Sequence, residues 1–404
     1  MSFLVDRDVS LSYREILQYL SVSDSYTDCY IYPDLKSFFL NWIFALVNER
    51  NIALMDSDLF EREIIANDLT VNQLVKIDHP KKVNSVDELV ELIRNSNSEI
   101  TLFTSGTTGF TRKFTHPLKN LIRKINVSDE RKNDVWGFAF NPTHVAGVQV
   151  FFQAILNQNL LVNVFMESKD FIINAINEYK ITNLSSTPTF YRLLLPLSES
   201  FDSVKKITIG GEKSDNYLIS KIEKYFPNAR INNVYGSTET GPLFSSQNDE
   251  FVVHDKHIGL VKVVDDELYI HKNLFGKTSQ LNLIDDFYAT GDLIEWLDDE
   301  QRRFRFTSRK NELINVGGYK VNPYEVEEEL TQHPKIRNVR VFGKPNAVLG
   351  NIICCEVELL AHTELKEEDV RFYLNGKIQN FKIPRKIGFV EKIELTRTGK
   401  KKIV

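Results

Sequence analysis

Cysteine is scarce in this chain, with three in 404 residues: Cys29, Cys354 and Cys355. They form no metal-ligand spacing, and the adjacent pair is poorly placed to close a disulfide. Neither a disulfide scaffold nor a zinc site is expected, and a reducing compartment is implied. A basic excess is also missing. The 50 Lys and Arg against 55 Asp and Glu leave a formal charge of −5, not the broad positive field of a nucleic-acid-binding protein, so no nucleic-acid partner is expected. Long hydrophobic runs are absent too. The richest one, LKSFFLNWIFALV from Leu35 to Val47, carries Lys36 and Asn41 and is too short to span a bilayer, so it reads as a buried helix. The opening MSFLVDRDVS has early acidic residues and no apolar core. A secretory signal is therefore not expected, and a cytoplasmic location is.

What is present is ordinary globular material, 42% hydrophobic and 26% charged, in a chain long enough for two or more domains. Short β-branched runs (EITLF, LLVNVF, KITNLSS, VKKITIG, RINNVYG) alternate with amphipathic helical patterns (SVDELVELIRN, KDFIINAINEY, NYLISKIEKYF). This alternation predicts an α/β fold with much parallel sheet. From about Lys310 the pattern changes to helix, two strands and helix (NPYEVEEELTQHP, IRNVRVFGKP, NIICCEVELL, KEEDVRFYLNGKI). The expected division is a large N-terminal domain over 1–309, with mixed and parallel sheets, and a small mobile α+β domain over 310–404.

The stretch TLFTSGTTGFTRK, Thr101 to Lys113, places hydroxyls and glycines directly after a β-rich run and cations directly behind them. Such a loop can offer backbone N–H groups, hydroxyls and positive charge to a polyphosphate. It is not a Walker A sequence, because neither Gly106 nor Gly109 opens the required Gly-x4-Gly-Lys pattern. Further along come NNVYGSTETGP (Asn232 to Pro242), YATGDL (Tyr288 to Leu293), SRKNELINVGGYKVNPYEVEEEL from Ser308, and LTRTGKKK (Leu395 to Lys402).

In that order, these motifs resemble the adenylate-forming superfamily of acyl-CoA synthetases, nonribosomal peptide adenylation domains and luciferases, from about Ile100 to the C-terminus. The resemblance implies activation of a carboxylic acid by ATP. The carboxylate attacks the α-phosphate to give an acyl-adenylate and pyrophosphate, and the acyl group then passes to a thiol.

The resemblance also implies roles for individual residues. Thr104, Ser105, Gly106, Thr107, Thr108 and Gly109 would wrap the β- and γ-phosphates, with a cation from Arg112 or Lys113. Glu239 would hold Mg²⁺, and Tyr235 would stack on adenine beside Asn233, Gly236, Ser237, Thr238 and the Gly211, Glu212 and Lys213 backbone. Asp292 would bind the ribose, and Arg309 the ribose and phosphate. Lys400, with Lys401 as the neighbouring alternative, would bridge the carboxylate and the α-phosphate, and His144 would stand at the acid. Asn311 falls at the hinge. Gly317, Gly318 and Tyr319 would line the thiol tunnel once the small domain rotates.

Trp136 to Ile155 contains no Asp or Glu. An amino-acid substrate would need a counter-charge there for its ammonium group, so an aryl or short- to medium-chain acid is expected. The segment looks most like o-succinylbenzoate and aryl acid–CoA ligases. The acceptor is coenzyme A or, alternatively, the phosphopantetheine of a separate acyl carrier protein. A non-catalytic nucleotide-binding relative is the rival of another class. Only about a hundred residues precede the phosphate loop, so the first subdomain reads as trimmed, which would open the acid pocket or call for a partner chain to complete it.

Overall fold

The computed structural model describes residues 1–56, 64–65, 69–105, 111–278, 281–346, 349–396 and 399–402. Its largest sheet has eight strands. From one edge they run Gly241–Ser246, Arg230–Ser237, Lys206–Gly210, Asn183–Ser186, Val135–Phe138, Leu160–Asn163, Ser2–Asp6 and Val9–Ser12. All internal pairings are parallel, and the two edge pairings are antiparallel. Helices Val145–Leu156, Lys169–Tyr179 and Asn216–Tyr225 alternate with these strands along the chain. Lys169–Tyr179 and Asn216–Tyr225 each bury an apolar stripe, as their helical spacing predicted, whereas Val145–Leu156 is buried over most of its surface and was not marked as a helix by its sequence.

A second, four-stranded sheet is ordered Cys29–Ile31, Ile52–Met55, Glu99–Ser105 and Thr111–Pro117. Its last two strands form an antiparallel hairpin in which Thr104 pairs with Arg112 and Phe103 with Lys113. Between the two sheets lies an aromatic core. Helix Leu35–Val47 starts at Asp34, whose carboxylate accepts from the Ser37 N–H, and it buries ten of its thirteen residues. The run that sequence reading set apart as a buried helix is therefore the centre of this core. Trp42 stacks on Phe151 at 4.0 Å between ring centroids, and Phe39 stacks on Phe151 at 5.1 Å. Burying such a ring contributes on the order of 2–3 kcal/mol. Among the described residues, no helix is long and apolar enough to cross a membrane.

A third, antiparallel sheet contains Phe287–Trp296 and Arg303–Arg309, paired so that Asp292 faces Arg309. Beyond it, Ile314–Val316, Tyr319–Val321, Ile336–Asn346, Gly350–Leu359 and Lys386–Val390 build a separate sheet. Helices Pro323–Thr331 and Glu367–Leu374 supply buried residues to the same cluster, which runs from Ile314 to Ile387. Asn322 and Pro323 start the first of these helices as cap and first residue, a pre-set entry geometry.

Candidate active site

In the large sheet, four of the parallel strands end on the same side, and the residues that follow them lie together. After Val135–Phe138 comes Asn141 to His144, after Asn183–Ser186 comes Thr187, and after Lys206–Gly210 comes Gly211 to Lys213. After Arg230–Ser237 come Thr238 and Glu239. A crevice at the carboxyl ends of parallel strands is the usual ligand position in open α/β sheets. Here it is a cavity of about 1340 Å³.

Of the residues singled out from the sequence, this cavity is lined by Thr104, Arg112, His144, Gly211, Glu212, Lys213, Asn233, Tyr235, Gly236, Ser237, Thr238, Glu239, Asp292, Arg309, Asn311 and Lys400. Gly106, Thr107, Thr108 and Gly109 lie outside the described residues, and of Ser105 only the backbone is described. Lys113 does not line the cavity. Adjacent strand residues point to opposite faces, and it is Arg112 that points in.

Gly317, Gly318 and Tyr319 are also elsewhere. The glycines turn a hairpin with φ of 58° and 90°, and exposed Tyr319 stacks on Phe381 at 4.8 Å. In this arrangement the cavity contains Lys400 and not the expected thiol-tunnel residues.

Asp292 is the best-braced carboxylate in the site. The Tyr235 hydroxyl donates to one of its oxygens at 2.6 Å, and Arg309 Nε donates to the other at 2.6 Å. Burial works to lower the Arg309 pKa, but Asp292 outweighs it and holds the guanidinium above its ordinary value. Burial, then Asp292, pushes Tyr235 well up. Arg309 Nη2 also reaches the Tyr235-bound oxygen at 3.5 Å. A carboxylate offers about four acceptor positions, so the spare capacity lies on the oxygen that accepts from Arg309 Nε. Tyr235 departs from the bare platform expected for adenine, because its ring is already stacked on Phe306 at 4.2 Å. A base would have to use the other face; Phe244, the cross-strand neighbour of Tyr235, lies at 6.0 Å between centroids. Asn233 is likewise committed, donating to the Asn248 carbonyl at 2.9 Å.

Glu239 is fixed through its backbone. Its carbonyl accepts from Gly276 N–H at 2.9 Å, and the carbonyl of Thr238 accepts from His116 Nε2 at 2.7 Å. Because a carbonyl can only accept, Nε2 carries the proton. His116 is buried, and burial lowers its pKa. Burial, followed by Glu239, raises the pKa of Tyr288, and Arg112 opposes them. Charge of both signs thus gathers around Tyr288. Among the described residues no group of three or more His, Cys, Asp or Glu could hold a metal ion. A single carboxylate suits Mg²⁺ held jointly with phosphates, since Mg²⁺ usually keeps waters and takes one or two protein carboxylates.

Lys400 enters from the far end of the chain. Its Cε lies 3.4 Å from the point a Gly211 Cβ would occupy. Burial lowers its pKa, and Glu212 acts in the opposite direction. Lys401, the alternative, also borders the cavity, but its ammonium is taken up, donating through Nζ to Glu327 and to the Val339 carbonyl, each at 2.6 Å.

Sequence reading missed several residues here. His116 and Tyr288 act on the Glu239 segment from other strands. Glu267, buried, pairs with Lys310 at 2.8 Å and accepts from Gly291 N–H at 2.9 Å. Asp56, at the end of strand Ile52–Met55, lines the cavity and accepts from Asn141 Nδ2. The lack of acid in Trp136 to Ile155 therefore does not leave this end of the cavity without a carboxylate. Only the tertiary structure brings Asp56 there.

The AMP-binding enzyme family model matches residues 47–278, and the AMP-binding enzyme C-terminal domain matches residues 325–400. The chain belongs to the AMP-binding enzyme family. A curated relative, the mitochondrial medium-chain acyl-CoA ligase ACSF2 of Mus musculus, is 29% identical over 260 residues, covering 56% of this chain and 42% of that protein. The chain thus spans under half the length of that relative. Among solved structures, the o-succinylbenzoate CoA synthetase MenE of Bacillus subtilis, in complex with its acyl-adenylate intermediate, superposes with a TM-score of 0.69 at 16% identity. That match covers 99% of this chain and 94% of the other. The anthranilate CoA ligase AuaEII, in complex with anthranoyl-AMP, gives a TM-score of 0.73 at 18% identity over 99% and 92%. At these identities the likeness shows the fold.

Proposed function

We propose that this protein activates a small carboxylic acid with ATP and Mg²⁺, forming an acyl-adenylate, and transfers the acyl group to coenzyme A. The observation that carries this reading is the gathering, around one cavity, of the braced Asp292, Glu239, Arg112 and Lys400 from four separate stretches of chain. Membership of the AMP-binding enzyme family and the similarity to named acyl-CoA ligases support it.

The first step brings two anions together, so it needs chiefly positioning and charge neutralisation. In this reading Asp292 accepts from the ribose hydroxyls, and Arg309, held by Asp292, faces the ribose and phosphate. Thr104 and Arg112 meet the terminal phosphates. Glu239 holds Mg²⁺, which would neutralise phosphate charge when bound. Lys400 donates from its ammonium group to the carboxylate and α-phosphate oxygens as charge builds there. His144 caps helix Val145–Leu156 through Nδ1 at 3.5 Å and also lines the cavity, so in this reading it combines a structural task with a place beside the acid.

The acid is proposed as aryl or short- to medium-chain, with the Asp56 carboxylate, held by Asn141, at its end of the cavity. The small domain is proposed to begin at residue 310 and to swing about Asn311, exchanging Lys400 for the Gly317–Gly318 hairpin when the thiol reacts. The three cysteines are buried and carry no disulfide, which supports a reducing, cytoplasmic setting. Acid-dependent ATP–pyrophosphate exchange tests the activation step. Product mass with coenzyme A against a phosphopantetheinylated carrier then decides the acceptor.

A further inference from the structure

The peptide that carries Lys400 is fastened on both sides. On the small-domain side, Lys401 Nζ is held by Glu327 and the Val339 carbonyl. Within the segment, Thr396 N–H donates to the Lys400 carbonyl at 2.6 Å, and Lys400 N–H donates to the Thr396 hydroxyl at 3.2 Å. On the large-domain side there are two contacts. The Thr187 hydroxyl donates to the Gly399 carbonyl at 3.3 Å. The Glu212 carboxylate accepts from Lys401 N–H with Oε1 at 3.3 Å, while its Oε2 accepts from Thr189 N–H at 3.0 Å.

Glu212 is therefore a two-ended clamp. One oxygen is tied to the large domain's own backbone, which fixes the carboxylate's direction, and the other is tied to the backbone next to Lys400. Hydrogen bonds with a charged acceptor are about twice as strong as neutral ones. Sequence resemblance assigned Glu212 only through its backbone, at the nucleotide base. Its side chain is occupied differently.

We propose that Glu212 is a positioning residue for acid activation, latching the 399–401 peptide to the large domain so that Lys400 enters the cavity. The proposal rests on the acyl-adenylate reading above for the role of Lys400, but the latch itself is a statement about docking. Swinging the small domain away has to break the Glu212 bond to Lys401 N–H while leaving the bond to Thr189, so Glu212 stays aimed and ready for re-docking. A carboxylate beside Lys400 also favours its protonated form, which is the form that neutralises phosphate.

The test compares wild type, Glu212→Ala and Glu212→Gln in the full chain by two readouts. In amide hydrogen exchange, Glu212→Ala is expected to speed exchange at Lys401 and Thr189 about tenfold relative to wild type. In acid-dependent pyrophosphate exchange, it is expected to be about 10²-fold slower, the scale of a misplacement near 1 Å. The KM for ATP should stay within about twofold, because on this account the clamp does not act on the nucleotide. Glu212→Gln, which keeps one acceptor, should fall between the two, and it decides the matter if the alanine variant does not fold. Unchanged protection at Lys401 overturns the latch. So does a loss of rate matched by an equal rise in KM, with glutamine no better than alanine. If the amides respond but wild type shows no pyrophosphate exchange with any acid, the latch stands and the acyl-adenylate reading fails.

Discussion

Tyr235 and Asp292 sit 57 residues apart in the chain and meet at 2.6 Å, hydroxyl to carboxylate, across the seam between the large parallel sheet and the antiparallel sheet beyond it. With Arg309 on the other oxygen, this contact fixes the direction of the carboxylate before any ligand arrives. The first prediction concerns this contact. Asp292→Asn should raise the KM for ATP about tenfold, or ~1.4 kcal/mol, because the amide presents one acceptor oxygen where the carboxylate presented two. Titration calorimetry with ATP checks the direction without reference to the acid.

His116 holds the Thr238 carbonyl, and so the Glu239 peptide, by a single bond at 2.7 Å. His116→Ala should leave that buried carbonyl unpaired, at a cost of about 1–3 kcal/mol. Gly276→Ala should have a related effect, since its Cβ would fall 2.5 Å from the imidazole. Both are expected to weaken Mg²⁺-dependent activity more than they weaken binding of the nucleotide alone.

The same histidine predicts a pH dependence of stability. Its pKa in the folded chain lies below the ordinary 6.5 because of burial. As pH falls below that ordinary value, the unfolded chain takes up the proton first and the native chain resists it. The contribution is present above about pH 6.5 and is lost as pH falls through the lowered native value. Melting temperature should therefore decline more steeply on acidification in wild type than in His116→Gln. Equal slopes would show that the ring is not held neutral.

Gly211 has φ of +84°, and a side chain there would meet Lys400. Gly259 has φ of +74° with open space around it. Alanine at either position should cost about 1–2 kcal/mol from the left-handed backbone. An alanine Cβ at Gly211 meets Lys400 only at ordinary contact distance, so a slowing of pyrophosphate exchange beyond the strain shared by the two alanine variants is expected only from a larger side chain, as in Gly211→Leu. Melting temperature and exchange rate, measured on these variants, separate strain from crowding.

Asp56 and Asn141 predict acid selectivity. Asp56→Asn should shift the ranking of acids in a panel, most strongly for acids bearing a hydroxyl or amino group, and should leave the KM for ATP within about twofold. An unchanged ranking would remove Asp56 from the acid pocket.

Much of the architecture was legible because it rests on local chemistry. Helix Lys169–Tyr179 coincides with its periodic stretch. The strands at Asn183, Lys206 and Arg230 follow from β-branched runs between helices. The apolar run at Leu35 became a helix because Asp34 caps it and its aromatics have facing partners. The motif residues collected in the cavity were legible through the order of the motifs that carry them, and several of those motifs, such as the ones after Lys206–Gly210 and around Arg230–Ser237, adjoin readable strands. Contacts made only in three dimensions were not visible. His116, within strand Thr111–Pro117, and Asp56, just past strand Ile52–Met55, have nothing nearby in sequence to mark them. The choice between Arg112 and Lys113 depends on strand facing, and that between Lys400 and Lys401 on where Glu327 lies. The Glu212 clamp joins residues 189 apart, a distance no motif spans.

The most direct measurement is acid-dependent ATP–pyrophosphate exchange by the purified chain with Mg²⁺ across a broad panel of carboxylic acids, run beside Lys400→Ala. The account predicts exchange with at least one acid in wild type and a loss of about 10²- to 10³-fold in the variant, the scale of removing one group that stabilises developing charge. Absence of exchange with every acid, or an undiminished rate in Lys400→Ala, would contradict it.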